Sequence, residues 1–121
     1  MGHILIIDDE SSVRGTMRKI LEREGHEVRE AEDGAVGLKL SREAPPDVVV
    51  TDLLMPEKDG IETIMELRAE FPDVRILAVS GGDTGSVGGR LLDAQALGAD
   101  GSLAKPFTVD QFRSAVAVLL R

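Results

Sequence analysis

The sequence of 121 residues has no cysteine, no tryptophan and no tyrosine, and its three aromatic residues are all phenylalanine. Without cysteine the chain cannot form a disulfide, a thiolate metal site or a cysteine nucleophile. With so few aromatic rings it lacks the stacking platforms on which single-stranded nucleic acids bind. These absences favour a cytoplasmic protein whose chemistry depends on oxygen and nitrogen groups.

The chain also lacks a basic excess and a long apolar run. Its 14 Lys and Arg residues against 22 Asp and Glu residues give a formal net charge of −8. An acidic surface repels the phosphates of nucleic acids, so we expect no direct nucleic-acid binding. No apolar run approaches the ~20 residues that a membrane helix needs, and the N-terminus has no basic signal region. We therefore expect no membrane span.

What the sequence does contain is a regular alternation of short apolar runs and segments of helical period. Its length fits one compact domain, which we place at residues 1–121. Three of the runs are nearly continuous in Val, Ile and Leu, which is typical of strands covered on both faces in a parallel sheet. The predicted strands are His3–Ile7, Glu27–Ala31, residues 47–51, residues 74–79 and Gly101–Ala104.

Between these runs, apolar residues recur at the spacing of one helix face. Ser11 or Ser12 is the expected N-cap of the first helix, and Gly25 is its expected stop. The five β-α units predict an α/β fold, a doubly wound parallel sheet with helices on both faces, and a small Rossmann-like domain is the alternative. Asp33-Gly34 marks a turn, and the second helix follows it and runs to Pro45-Pro46. The apolar faces of the other helices are Val13, Met17, Ile20 and Leu21; Ile61, Ile64 and Met65; Leu91, Leu92 and Ala96; and Val109, Phe112, Val116, Leu119 and Leu120.

Polar residues of one chemical kind follow the carboxyl ends of several predicted strands. Open α/β sheets bind ligands at that edge, where the strand order reverses. Carboxylates gathered there repel one another unless a hard cation such as Mg²⁺ joins them. Carboxylates, Mg²⁺, a lysine and a hydroxyl are the groups needed to hold a phosphoryl group during transfer, and a carboxylate can itself accept that group. The residues concerned are Asp8, Asp9 and Glu10 after the first strand, Asp52 at the end of the third, Ser80 at the end of the fourth and Lys105 after the fifth.

In this order and spacing the residues resemble the receiver domains of two-component response regulators along essentially the whole chain. The matching strings are IIDDE at 6–10, TDLLMPEKDG at 51–60, AVSG at 78–81 and GADGSLAKPF at 98–107. The resemblance implies a flavodoxin-like sheet with strand order 2-1-3-4-5. It also implies a domain that is not an enzyme beyond its own phosphorylation and dephosphorylation. Its partners would be a histidine kinase or histidine phosphotransfer protein and an unknown downstream protein or output domain.

The resemblance further implies a role for each matching residue. Asp52 would accept the phosphoryl group, Lys105 would pair with it and Ser80 would donate a hydrogen bond to it. Asp9 and Asp52 would bind Mg²⁺ directly together with the backbone carbonyl of Leu54, and Asp8 would act through a metal-bound water. The bond between Lys105 and Pro106 would be cis.

Two features depart from the family pattern. Ser102 stands where receivers usually carry Tyr or Phe, an aromatic that commonly relays the signal. Five glycines lie within residues 81–89, and we expect this loop to become ordered on phosphorylation. Two other functions stay open: a binding module of the same fold that works without phosphorylation, and a Mg²⁺-dependent phosphohydrolase with an aspartyl nucleophile.

Overall fold

Strands and helices alternate along the chain in the computed structural model, which describes residues 2–53, 60–80 and 98–121. The helix predicted around Leu91, Leu92 and Ala96 and the glycine-rich stretch 81–89 lie outside these residues. The described elements are β1 (His3–Ile7), α1 (Ser11–Arg23), β2 (Glu27–Ala31), α2 (Gly34–Glu43), β3 (Val48–Asp52), α3 (Gly60–Glu70), β4 (Arg75–Ser80), β5 (Gly101–Ala104) and α4 (Val109–Leu119).

The strands form one parallel sheet in the order β2-β1-β3-β4-β5. This confirms the predicted doubly wound fold and its strand order. A Rossmann-like sheet would place β2 between β1 and β3, whereas here β1 pairs with both β2 and β3. The strand order therefore reverses between β1 and β3, and the predicted ligand edge lies where these two strands end.

Alternate residues of the central strands enter two separate cores, one on each face of the sheet. In β1, Leu5 and Ile7 belong to the core that Leu38 of α2 and Leu67 of α3 complete. Ile4 and Ile6 belong to the core on the other face. This alternation follows from the two-residue period of a strand. The second core is completed by Met17 and Leu21 of α1 and by Phe112 and Val116 of α4.

The first helix begins differently from the sequence prediction. Glu10 occupies the N-cap position and Ser11 is already helical, so the expectation of a serine cap is wrong. The reason is the preceding residue pair: Asp8 Oδ1 accepts a hydrogen bond of 2.9 Å from the backbone N–H of Glu10, which closes the turn without a serine. The predicted stop is confirmed, because Gly25 follows the helix with φ at +89°.

Two residues assigned to buried helical faces are instead half exposed. Met65 is 51% exposed and Val109 is 53% exposed. In α3 the buried residues Gly60, Thr63, Ile64 and Leu67 define the face toward the sheet, and Met65 lies about 100° around the helix from Ile64. Val109 is the first residue of α4, before the helix reaches the core.

Two glycines provide a matched test of this packing. A Cβ on Gly15 in α1 would meet no atom within 4 Å, whereas a Cβ on Gly60 would stand 2.6 Å from Leu53 Cα. Gly15→Ala should raise the free energy of unfolding by about 0.5–1 kcal/mol, because glycine is costly inside a helix. Gly60→Ala should lower it by roughly 1–3 kcal/mol through overpacking. Urea denaturation of both variants measures the two changes, and a loss of stability in Gly15→Ala would contradict the prediction.

Candidate phosphoryl-acceptor site

The turn after β1 gathers three acidic residues at the carboxyl edge of the sheet. Asp8 is fully buried, and its backbone N–H donates to the carbonyl of Ala31 at 3.1 Å. Asp9 and Glu10 are exposed. One carboxylate oxygen from each of Asp8, Asp9 and Glu10 lies within 4.8 Å of the others. Negative charge is therefore concentrated in one short turn at the mouth of the crevice.

Lys105 lies between this turn and the end of β3. Its Nζ is 3.3 Å from Asp8 Oδ2 and 3.5 Å from Asp52 Oδ2. Asp52 is the last residue of β3 and is only 6% exposed. Two buried carboxylates thus share one ammonium group, as buried charges must be paired to be tolerated.

The backbone around Lys105 fixes where its side chain starts. Its N–H donates to the carbonyl of Ser80 at 2.8 Å, which continues the pairing of β5 with β4. The peptide bond between Lys105 and Pro106 is cis, which confirms the expectation from the resemblance to receiver domains. The ends of β1, β3 and β5 therefore bring together residues that are distant in the sequence. Asp8 and Asp52 are 44 positions apart, and Asp52 and Lys105 are 53 positions apart.

The electrostatics of the site keep Lys105 protonated. Burial disfavours its ammonium form, but the carboxylates of Asp52 and Asp8 together outweigh burial and raise the pKa of Lys105 above its usual value. The lysine is consequently a fixed positive charge at neutral pH. It can attract the oxygens of an anion that enters beside Asp52.

Ser80 adds an unsatisfied hydroxyl group to the same edge. It is the last residue of β4 and is fully buried, and its Oγ has no hydrogen-bond partner in the described part of the chain. Buried hydroxyl groups in folded proteins nearly always have a partner. An unsatisfied hydroxyl at the carboxyl end of a strand is a candidate donor to a ligand bound at that edge.

The structure thus brings Asp8, Asp52 and Lys105 into direct contact and places Asp9 next to Asp8. Ser80 ends the neighbouring strand. Leu54, whose carbonyl is an expected metal ligand, lies outside the described residues. The roles assigned to these residues remain predictions.

Two further residues lie at the site: Glu10, which was expected beside the two aspartates but without a role of its own, and Arg14, which was not expected there. Glu10 joins the acidic group, and Arg14 Nη1 donates to the backbone carbonyl of Asp8 at 2.6 Å. For Glu10 the signal was its position beside two aspartates. For Arg14 no signal existed, because a bond to a backbone carbonyl leaves no trace in residue identity.

A separate cleft lies at the opposite edge of the sheet. It has a volume of about 650 Å³ and contains none of the predicted site residues. Three prolines and Phe71 line it together with charged residues that include Asp47, Glu70 and Arg75. We therefore locate the chemistry at the carboxyl edge and not in this larger cleft.

Comparison with known proteins identifies the family of this chain. The family model described as response regulator receiver domain matches residues 4–117. The chain belongs to the response regulator receiver domain family. It is therefore a signalling domain of the class found in two-component systems.

The relatives cover this chain almost completely. The response regulator MprA of Mycobacterium sp. (strain KMS) is 38% identical over 118 residues, which are 98% of this chain and 50% of MprA. The chain therefore spans about half the length of the curated relatives it matches.

Solved structures match the whole domain. A response regulator receiver domain protein from Clostridium thermocellum superposes with a TM-score of 0.90 at 30% identity, covering 99% of this chain and 94% of that one. Chemotaxis protein CheY4 of Vibrio cholerae superposes with a TM-score of 0.89 at 29% identity, covering 99% of each chain.

Within the described residues, no helix has the length and apolar character needed to cross a membrane.

The raised pKa of Lys105 predicts how the stability that this residue contributes depends on pH. That contribution is fully present below the pKa of an unfolded lysine, near 10.4, and is lost as pH rises through the higher folded value. The difference in unfolding free energy between wild type and Lys105→Met should stay constant from about pH 7 to 9 and shrink above about pH 10.4. Lys39→Met, which removes an exposed lysine from α2, controls for loss of charge. A difference that stays constant up to about pH 11.5 would rule out the ion pairs as its source.

The unsatisfied hydroxyl of Ser80 predicts an unusual response to its removal. Ser80→Ala should leave the free energy of unfolding unchanged or raise it by about 1 kcal/mol, because no hydrogen bond is lost. Thr51→Val is the matched control, since the buried Thr51 Oγ1 donates to the carbonyl of Asp52 at 3.1 Å. The control should lose about 1 kcal/mol. If Ser80→Ala is the less stable of the two in urea denaturation, the hydroxyl has a partner.

Proposed function

We propose that this chain is a phosphorylation switch in which Asp52 accepts a phosphoryl group from a phosphohistidine donor. The observation that carries the proposal is the single ammonium of Lys105 in contact with both Asp52 and Asp8. The half-buried ammonium of Lys105 lies within 3.5 Å of two carboxylates that are themselves buried, so negative charge exceeds positive charge among these three groups. The excess negative charge and the available ammonium suit a site that receives both a cation and a phosphoryl group.

In the proposed transfer, an oxygen of Asp52 attacks phosphorus, a P–O bond forms and the P–N bond of the phosphohistidine breaks. The departing imidazole keeps the electron pair and takes up a proton. Lys105 balances charge on the phosphoryl oxygens, and the hydroxyl of Ser80 donates to one of them. The proposal is supported by the ammonium of Lys105, which lies 3.5 Å from Asp52 before any donor binds and so lowers the cost of reorganisation.

The residues present fit a magnesium ion. Asp8, Asp9 and Glu10 supply clustered carboxylate oxygens, which hard cations prefer. We assign Asp9, Asp52 and the carbonyl of Leu54 as direct ligands. Asp8 is assigned a contact through water, because its two oxygens are already engaged by the N–H of Glu10 and by Lys105. Bound there, Mg²⁺ would neutralise charge and orient the phosphoryl oxygens.

The partners follow from the chemistry. The donor is a histidine kinase or a histidine phosphotransfer protein, and the phosphorylated form acts on a downstream protein or output domain. We place the reaction in the cytoplasm. The net charge of −8 argues against nucleic acid as the direct partner of this chain.

The relay within the domain must differ from the usual one. Ser102 lies on β5 in register with Ala78 of β4, so no aromatic ring at this position can turn inward. The glycine-rich residues 81–89, between Ser80 and β5, remain our candidate for the segment that passes the phosphorylation signal to the rest of the domain. Ser80 would transmit the change directly, since it adjoins that stretch.

The acceptor is tested by mass. Intact-protein mass spectrometry after incubation with acetyl phosphate and Mg²⁺ should show one added phosphoryl group on wild type and none on Asp52→Asn. Chelation of Mg²⁺ should abolish the addition, because the clustered carboxylates would then repel the donor. Asp110→Asn, an exposed aspartate in the first turn of α4, should be labelled as wild type is.

The same assay separates the alternatives. Equal labelling of wild type and Asp52→Asn would contradict the acceptor assignment. Absence of labelling in wild type would favour a binding module that works without phosphorylation. Multiple turnover of phosphomonoesters would favour a phosphohydrolase.

A further inference from the structure

Arg14 connects the acidic turn to the neighbouring strand. Its Nη1 donates to the carbonyl of Asp8 at 2.6 Å, and its Nε donates to Glu30 Oε1 on β2 at 3.1 Å. The other oxygen of Glu30 accepts from Arg18 at 3.0 Å. Arg14 and Glu30 are 16% and 25% exposed, so the linkage is largely shielded from water.

This linkage completes the fixation of Asp8. The backbone N–H of Asp8 is held by Ala31, and its two carboxylate oxygens are held by Glu10 and Lys105. Arg14 holds the remaining polar group, the carbonyl. Because a peptide unit is planar, fixing this carbonyl also fixes the N–H of Asp9 and the direction in which the chain enters Asp9.

Asp9 depends on this indirect support. Its side chain is exposed and makes no hydrogen bond within residues 2–53, 60–80 and 98–121. Among the described residues, the backbone is therefore what fixes the point from which its carboxylate can reach a cation. A guanidinium group suits the task, because its planar fork holds two acceptors at once in a fixed geometry.

Glu30 keeps Arg14 in place. Burial favours the neutral carboxyl group, but hydrogen bonds from Arg18 and Arg14 outweigh it and lower the pKa of Glu30 below its usual value. Glu30 is thus ionised at neutral pH. The charges of Arg14, Glu30, Arg18 and Glu22 balance, so the linkage orients the turn without changing its net charge.

We propose that Arg14 is a positioning residue for the cation: it sets the Asp8–Asp9 peptide plane and thereby the direction in which Asp9 presents its carboxylate. This inference rests on the proposed function, since it concerns the same magnesium site. Residues that orient metal ligands without touching the metal typically change metal affinity by 10- to 100-fold when replaced. The loss of Arg14 should therefore act on Mg²⁺ affinity and not on the transfer step at saturating Mg²⁺.

The experiment is a Mg²⁺ titration by isothermal calorimetry on the full chain. Arg14→Gln should raise the Kd for Mg²⁺ about 10-fold. Glu30→Gln should raise it less, because one acceptor oxygen remains for Arg14. Arg18→Gln removes the other partner of Glu30 without touching the turn, and its Kd should stay within about twofold of wild type. Arg14→Lys should recover part of the loss, since a lysine can reach one acceptor but not both.

A second measurement distinguishes positioning from general damage. In acetyl phosphate labelling, Arg14→Gln should need about 10-fold more Mg²⁺ for half-maximal rate while its rate at saturating Mg²⁺ equals that of wild type. Suppose that Asp9→Asn binds Mg²⁺ weakly but the Kd of Arg14→Gln stays within twofold of wild type. That result would overturn the role of Arg14 and leave the metal site of the proposed function intact. If Arg14→Gln does not fold, an unchanged Kd in Glu30→Gln would overturn that role. If Asp9→Asn binds Mg²⁺ as tightly as wild type, the metal site of the proposed function fails as well.

Discussion

The contact of the Lys105 ammonium with Asp8 and Asp52 is the constraint on which the rest of the site depends. Two carboxylates buried at 0% and 6% exposure cannot remain ionised side by side without a compensating charge. Lys105, which follows β5, supplies that positive charge, whereas Asp8 follows β1 and Asp52 ends β3. The sheet makes this pairing possible, because its strands are parallel and all three therefore end at one edge.

The two cores make that arrangement rigid. Because Val48 and Val50 of β3 enter the core completed by α1 and α4, the two-residue period directs Asp52 to the same side of the sheet. A slip of one residue would reverse every side chain of the strand, so the packing of β3 also holds the acceptor in register. The positions of the site residues are therefore well defined, because these residues end or follow strands that are buried on both faces of the sheet.

Most of the fold and the main site residues could be predicted from sequence, since both depend on periodic or strand-terminal patterns. Strand bounds were wrong by at most one residue, as for β3 and β4, because buried apolar runs are unambiguous. Met65 was misplaced because helical periodicity alone does not tell which flank of an apolar stripe meets the sheet, and Val109 because it is the first residue of its helix. The Arg14–Glu30 linkage was unpredictable, because it joins a helix to a strand and a side chain to a carbonyl.

The two edges of the sheet differ in how completely their polar groups are satisfied. At the amino edge, Arg68 donates to the carbonyls of Gly98, Pro72 and Val74 and pairs with Asp100, which also accepts from the N–H of Ile76. At the carboxyl edge, Ser80 Oγ has no partner among the described residues and three carboxylates crowd one turn. Both arrangements belong to the same domain, so the contrast cannot come from poor packing in general. A folded protein tolerates unsatisfied polar groups and crowded charge where a ligand compensates for them, so this contrast supports the proposal that the functional site lies at the carboxyl edge.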